Sequence, residues 1–272
     1  MWLTKMIKAT LALAFCLSLI LSAAGRTIPA RQAAGKSGSS IEQLIRDFSS
    51  KDWQKVRMAE SVLESRQAEA IPALIKLLDS DKRLELQNTA DLIYPGAKQF
   101  YGHGRLLDYD VDWLSVRAGW ALEETTFQNF GFREGAISEE ELFKAVSRGQ
   151  QGLPLKETPA SHNPEMKGRL RAEAVSRAKA WWQKNANSWT RFEALLEALR
   201  SDDPVRHLWT LNWIRYGETR CDGLNMESFR KYVLPEVKRL LESKDAGVRD
   251  QAKDLMEDDK GRWLKYKTGE DN

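Results

Sequence analysis

The chain has 272 residues, with 42 Lys and Arg against 39 Asp and Glu, for a net charge of +3. A chain of this length buries a substantial core without disulfide support. The near balance of charge argues against a general nucleic-acid binder, whose affinity comes from neutralising phosphates, and against a polybasic membrane-surface protein.

The first stretch reads as an export signal. Lys5 and Lys8 precede an apolar run from Ala9 to Leu21, and small residues, Ser22-Ala23-Ala24-Gly25, follow. That layout predicts a signal peptide over 1–24 with cleavage after Ala24. The run is 13 residues, short of the ~20 a membrane span needs. The alternative is an uncleaved signal anchor, since the run extends back to Met6 and Ile7. A lipoprotein signal does not fit, because Cys16 follows the bulky Phe15. Without the leader, 40 basic side chains face 39 acidic ones, a net charge of +1, and Cys221 stands alone. It is then a free thiol, an intermolecular link or a small buried apolar residue.

Residues 25–40 lack apolar periodicity and read as a flexible linker. Gly35-Lys36-Ser37 imitates a phosphate loop, but the glycine that motif needs five positions earlier is Ala30. Helical spacing begins with Ile41, Leu44, Ile45 and Phe48 and resumes from Trp53 to Leu63. A helix over 68–78 carries Pro72 in its first turn, where the missing N–H costs little. A fourth helix is expected over 84–93. The connection 94–112 is long, rich in Tyr, Gly and Asp, and so a candidate for function. Its Asp108-Tyr109-Asp110-Val111-Asp112 resembles the opening of a calcium loop, yet the sixth position is Trp113 and the twelfth Gly119, so a calcium site is not expected. Trp113 to Glu124 is helical, and 125–132 ends it. A capping box, Ser138 with Glu141, precedes Leu142 and Phe143. Residues 149–163 read as a loop holding His162. A long Ala- and Arg-rich helix spans 164–185. Trp181, Trp182, Trp189, Trp209 and Trp213 place five tryptophans within 33 residues, as core packing or as an aromatic patch for a partner. Residues 216–225 form a loop, 226–256 a last helix pair, and 258–272 a charged cap and tail.

One local pattern recurs. Asp52, Asp112, Asp203 and Asp245 each precede a Val-Arg pair (Val56-Arg57, Val116-Arg117, Val205-Arg206, Val248-Arg249) at the start of an apolar helix. The Asp suits a helix N-terminus. Val is expected to point inward, and Arg to reach a carboxylate in a neighbouring turn, so that stacked units carry an Asp–Arg ladder of Asp52, Arg57, Asp112, Arg117, Asp203, Arg206, Asp245 and Arg249. The pairs lie 60, 89 and 43 residues apart; the last interval is one period, and the middle one about two, of a two-helix repeat of roughly 40–47 residues. With Pro72 and Pro235 in the helix-Pro position, this pattern resembles HEAT repeats over most of 41–92, 110–125 and 190–257. The Thr–Gly–aromatic ending at 125–132 is similar to exported bacterial HEAT-like proteins. The resemblance implies an all-α fold, an α-solenoid of stacked antiparallel helix pairs over 41–257, with an irregular insertion around 126–165.

No His-Glu-x-x-His, Gly-x-Ser-x-Gly, paired Cys or dinucleotide fingerprint occurs, and His103, His162 and His207 are scattered. The expectation is a non-catalytic exported scaffold that binds a protein or peptide through its curved helical surface. It needs no cofactor or metal, binds no nucleic acid and meets the membrane only through its export signal; its oligomeric state is left open. Tyr101, His103, Tyr109, Trp181, Trp182 and Trp189 are the candidate partner-binding residues. Two alternatives remain: a glycan- or small-ligand-binding module built on exposed Trp and Tyr, and a hydrolase in which His103 and a carboxylate such as Asp108 or Asp110 converge in the 94–112 connection.

Overall fold

The computed structural model describes residues 39–89, 110–134, 164–217 and 219–257. Expectations for the export signal, most of the linker, most of the 94–112 connection, the 138–163 stretch and the C-terminal tail fall outside these residues. The described chain is all-α. Its helices are α1 (Ile41–Phe48), α2 (Trp53–Ser65), α3 (Ile71–Leu77), α4 (Leu114–Thr126), α5 (Pro164–Asn185), α6 (Arg191–Arg200), α7 (Pro204–Tyr216), α8 (Met226–Ser228), α9 (Leu234–Leu240) and α10 (Ala246–Glu257). Among the described residues there is no strand, and no helix is long and apolar enough to cross a membrane.

Local chemistry starts most of these helices. Ser40 accepts from the Gln43 N–H, Asp52 from Gln54, Thr190 from Glu193, Asp203 from Val205 and Asp245 from Val248, at 2.8–3.3 Å. Each bond satisfies a backbone donor that has no partner inside its helix. Asn225 and Ser228 bond reciprocally in a capping box. Between α8 and α9 the chain makes a π-helical turn, Phe229–Val233. It ends just before Pro235, which has no N–H to continue an ordinary ladder.

The helices pair in chain order. α1 packs on α2, α3 on α4, α6 on α7 and α9 on α10. Between pairs, α2 meets α4, α4 meets α6, α6 meets α9, and α7 meets α10. Two apolar clusters result. The first joins Phe48, Val56, Leu63, Leu74, Leu122 and Phe132 to Ala174 and Ala178 of α5. The second joins Phe127, Leu195, Leu211, Trp213, Val237 and Val248, and includes the buried free thiol of Cys221. Trp189 packs on both.

Three expectations are corrected. Residues 84–89 are not helical; the fourth helix does not start there. Instead the chain crosses the N-terminal ends of α2 and α4 as an extended strap. Gln87 N–H donates to Lys51 O at 2.7 Å and its carbonyl accepts from Trp53 N at 3.0 Å, while Leu84 N–H donates to Asp112 O at 2.7 Å. Arg83-Leu84-Glu85-Leu86-Gln87 alternates polar and apolar residues, and this two-residue period prevails over helix propensity. Second, α4 runs through Thr125 and Thr126, whose hydroxyls donate back to Ala121 O and Leu122 O at 2.7 Å, and ends at Phe127 in the left-handed conformation, φ 53°. Third, Val does not point inward in every copy. Val56 and Val248 are buried, but Val116 is half-buried and Val205 is exposed. Val205 is the second residue of α7, whereas Val56 is the fourth of α2. At about 100° per residue, two positions turn a side chain to the opposite face.

Candidate functional site

Several of the charged residues that converge are buried, among them Asp112, Arg117, Glu123 and Arg191. Arg117 of α4 is buried, and its guanidinium serves backbone carbonyls: Phe48 O at 2.7 Å, Ser50 and Val111 O at 3.0 Å, and Leu84 O at 3.4 Å. One side chain thus ties the end of α1, the α1–α2 turn, the strap and the approach to α4. Burial pulls its pKa down to about 10, against the opposing pull of Glu60. Asp112 is buried too, and its carboxylate accepts from the Leu86 N–H at 2.9 Å, holding the strap; the N-cap position of α4 falls to Trp113. Arg206 donates to Phe127 O at 2.9 Å and meets Glu197 at 3.4 Å, and Arg249 donates to Ser243 and Lys244 O at 2.7 and 3.0 Å. Arg57 is half-buried and has partners. Arg117, Arg206 and Arg249 therefore spend their donors chiefly on carbonyls rather than on the turn aspartates. The turn aspartates serve the backbone as well, except that Asp203 also accepts from Asn129 at 3.1 Å.

Arg191, at the start of α6, is the second buried guanidinium. It donates to Glu64 O at 3.0 Å, to Arg220 O at 3.3 Å and to the Glu64 carboxylate. Its charge lies 5.3 Å from the Phe127 ring centre and 4.9 Å from that of Trp213. Glu64 accepts in addition from Thr219 at 2.7 Å, and the Thr219 hydroxyl accepts from the Trp213 indole N–H at 2.9 Å. This network joins α2 to the second cluster.

A third group sits at the end of α4. Glu123 is fully buried, and its Oε1 accepts from three consecutive N–H groups, Phe130, Gly131 and Phe132, at 2.9–3.0 Å. Such a run of N–H groups is an anion cradle, and here the chain supplies its own anion. Gly131 makes the curl possible at φ 88°, a conformation that costs glycine little. Oε2 has no hydrogen-bond partner and lies 3.6 Å from the Arg133 Nε. Burial pushes the Glu123 carboxyl up to about 7, against the cradle and Arg133. Arg133 also contacts Glu124 and lies between Trp120 and Trp209, 4.8 Å from each ring centre. Glu60, half-buried on α2, faces Glu124, Glu64, Arg133 and Arg117, and burial with the two carboxylates pushes it up to about 8.

Of the candidate partner-binding residues, Tyr101, His103 and Tyr109 lie outside the described residues. Trp181, Trp182 and Trp189 are half-buried against the first cluster. Trp181 packs edge-on against Phe130 at 5.4 Å and beside Trp182 at 5.9 Å. Trp209 is the half-buried wall of the Arg133 clamp, and Trp213 is buried. His207 is buried, with Nε2 2.8 Å from Ser201 O. Among the described residues, no group of three or more His, Cys, Asp or Glu could hold a metal ion. Sequence reasoning missed Glu60, Glu64, Glu123, Arg133 and Arg191. The available signal was a charge at apolar helical spacing: Glu60 falls between Val56 and Leu63, and Glu123 three residues after Trp120.

On the surface, a shallow depression is lined by Asn225, Met226, Glu227, Arg230 and Lys231. Beside it stands Tyr232, 40% exposed, with Lys231 5.0 Å from its ring centre and Phe192 packed edge-on at 6.3 Å. The chain matches no family model, no curated protein and no solved structure.

Proposed function

We propose that the chain is an exported HEAT-like α-solenoid that binds a protein or peptide partner and does no chemistry of its own. Two features support the repeat reading: the helices pair in chain order, with each pair packed on another, and three of the four turn aspartates cap the following helix. The observation that carries the binding reading is the depression at 225–231 with its exposed Tyr232. Tyrosine and arginine are the side chains that most often anchor protein interfaces, and Arg230 and Lys231 against the single Glu227 favour an acidic partner segment. The convergent charged groups elsewhere are engaged with backbone and with one another, which suits a framework role.

The test is capture of partners by cross-linking, using the tagged full chain exported in its own host. A single enriched protein, lost from Tyr232→Ala and Arg230→Glu variants that melt like the parent, is the expected result. Enrichment that both variants leave intact refutes this surface. An empty capture shifts weight to the runner-up, glycan or small-ligand binding on the half-exposed Trp181–Trp182 pair. That reading requires tryptophan emission to shift on glycan addition.

A further inference from the structure

Arg133 occupies a seat with the make-up of a cation-recognition site. Trp120 of α4 and Trp209 of α7 are its two aromatic walls, and the guanidinium lies between them, 4.8 Å from each ring centre. The Trp120 ring is held by its indole N–H, which donates to Phe132 O at 3.2 Å. Glu123 supplies the floor: its side chain is fully buried, and its Oε2 has no hydrogen-bond partner and lies 3.6 Å from the Arg133 Nε. Glu124, with a side chain 45% exposed, stands at the rim and accepts from the Arg133 Nη2. Aromatic faces attract a cation through the ring quadrupole, and a carboxylate beside them adds a charge-assisted hydrogen bond.

The resident fills this seat incompletely. Its Nε is buried and has no hydrogen-bond partner. Its side chain is 30% exposed, so the seat is reached from solvent. Arg117 and Arg191, at most 1% exposed, are tied down by carbonyls of distant segments. Among the described residues no carbonyl ties Arg133 down in that way.

We propose that the Trp120–Trp209 seat is a binding site for an arginine side chain of a partner protein, and that Arg133 is its built-in stand-in. The partner's guanidinium displaces Arg133, lies between the two rings and pairs with Glu124. One guanidinium replaces another, so the cation–π contacts and the charge pairing are kept. A guest entering from solvent also aligns its fork with both oxygens of the Glu124 carboxylate. Against this, the guest loses translational freedom that a tethered side chain does not. The parent therefore holds a lone arginine weakly, and a partner needs contacts elsewhere to displace Arg133. Residues other than those of the 225–231 depression form this seat, and it stands or falls apart from that surface.

The experiment measures binding of N-acetyl-arginine amide to the full chain by calorimetry. N-acetyl-citrulline amide, nearly the same shape but uncharged, is the control. Arg133→Ala vacates the seat; it is expected to bind the arginine amide more tightly than the parent does and to ignore the citrulline amide. Adding Trp209→Leu to Arg133→Ala removes one wall and weakens binding about tenfold, the size of one desolvated cation–π contact. Adding Glu124→Gln to Arg133→Ala weakens it as well. The proposal is overturned if Arg133→Ala binds nothing, binds both amides alike or binds no more tightly than the parent. Binding that Trp209→Leu leaves unchanged overturns it too. If Arg133→Ala does not fold, the arginine amide and not the citrulline amide is expected to restore folding, and no recovery overturns the proposal.

Discussion

The four Val-Arg arginines look equivalent in sequence but should differ widely in what they contribute. Arg117 is the extreme case, being 1% exposed with bonds to four carbonyls at 2.7–3.4 Å. Arg117→Ala removes a charged donor from acceptors that have little water to turn to. Each buried acceptor left unsatisfied costs about 1–3 kcal/mol, and the truncated side chain leaves a void besides. Some of this is offset, because the variant no longer has to bury a guanidinium whose pKa is already pulled down to about 10. The net loss should be about 3–5 kcal/mol, the range found when one partner of a buried ionic group is removed. For a domain of this size that lowers Tm by roughly 6–20 °C, at about 2–4 °C per kcal/mol. Arg249→Ala, half-buried and with two carbonyl bonds, should cost about 1–2 kcal/mol. Urea and thermal unfolding followed by circular dichroism measure both. If Arg117→Ala falls within about 0.5 kcal/mol of the parent, as surface changes do, or if the two variants cost the same, the reasoning from burial fails.

Gly119→Ala should destabilise by about 1–3 kcal/mol through overpacking, because the added methyl meets the Phe132 ring; a melt identical to the parent would contradict that contact. Glu123→Gln should flatten the stability profile between about pH 4.5 and 7, the window in which the folded chain retains the extra proton on Glu123 and stability falls as the pH rises. Denaturant midpoints measured at several pH values show whether the parent's slope in that window disappears. Arg191→Lys should lower Tm by more than Lys179→Arg, since an ammonium cannot serve Glu64 and Arg220 together and also lie flat on Phe127 and Trp213. Equal melting temperatures for the two would count against that geometry.

What the sequence made legible was local. The caps at Asp52, Asp203 and Asp245 and the span of α5 follow from residues within a turn of each other, where side-chain chemistry and period decide the outcome. The destination of Arg117 was not legible: Phe48 and Ser50 lie 69 and 67 residues away in sequence, and carbonyls carry no residue signature. The 84–89 strap was misread because Leu84, Glu85 and Leu86 have fair helix propensity, although their alternation favoured an extended segment. Val205 was misplaced for a geometric reason: the Asp-to-Val spacer shortens from three residues at Asp52 to one at Asp203, and the buried face passes to His207.

The buried arginines explain how two apolar clusters become one framework. Apolar contact is non-directional, so Trp189 packing on both clusters does not by itself set their angle or register. The directional bonds that cross between them do. Arg191 reaches Glu64 across 127 residues of sequence and Thr219 reaches the same carboxylate across 155, while Arg206, within the second cluster, reaches Phe127 at the end of α4 across 79. Each of these long-range bonds ends on a group at or near a helix terminus: Glu64 beside the last residue of α2, and Phe127 just past the end of α4. Carbonyls there lack partners within their own helix, so a guanidinium from a distant helix satisfies them and fixes one helix end against another. A planar group with five donors suits this role better than an ammonium. The loop 127–134 lies within this arrangement, held by Glu123, Arg177 and Arg206 at once.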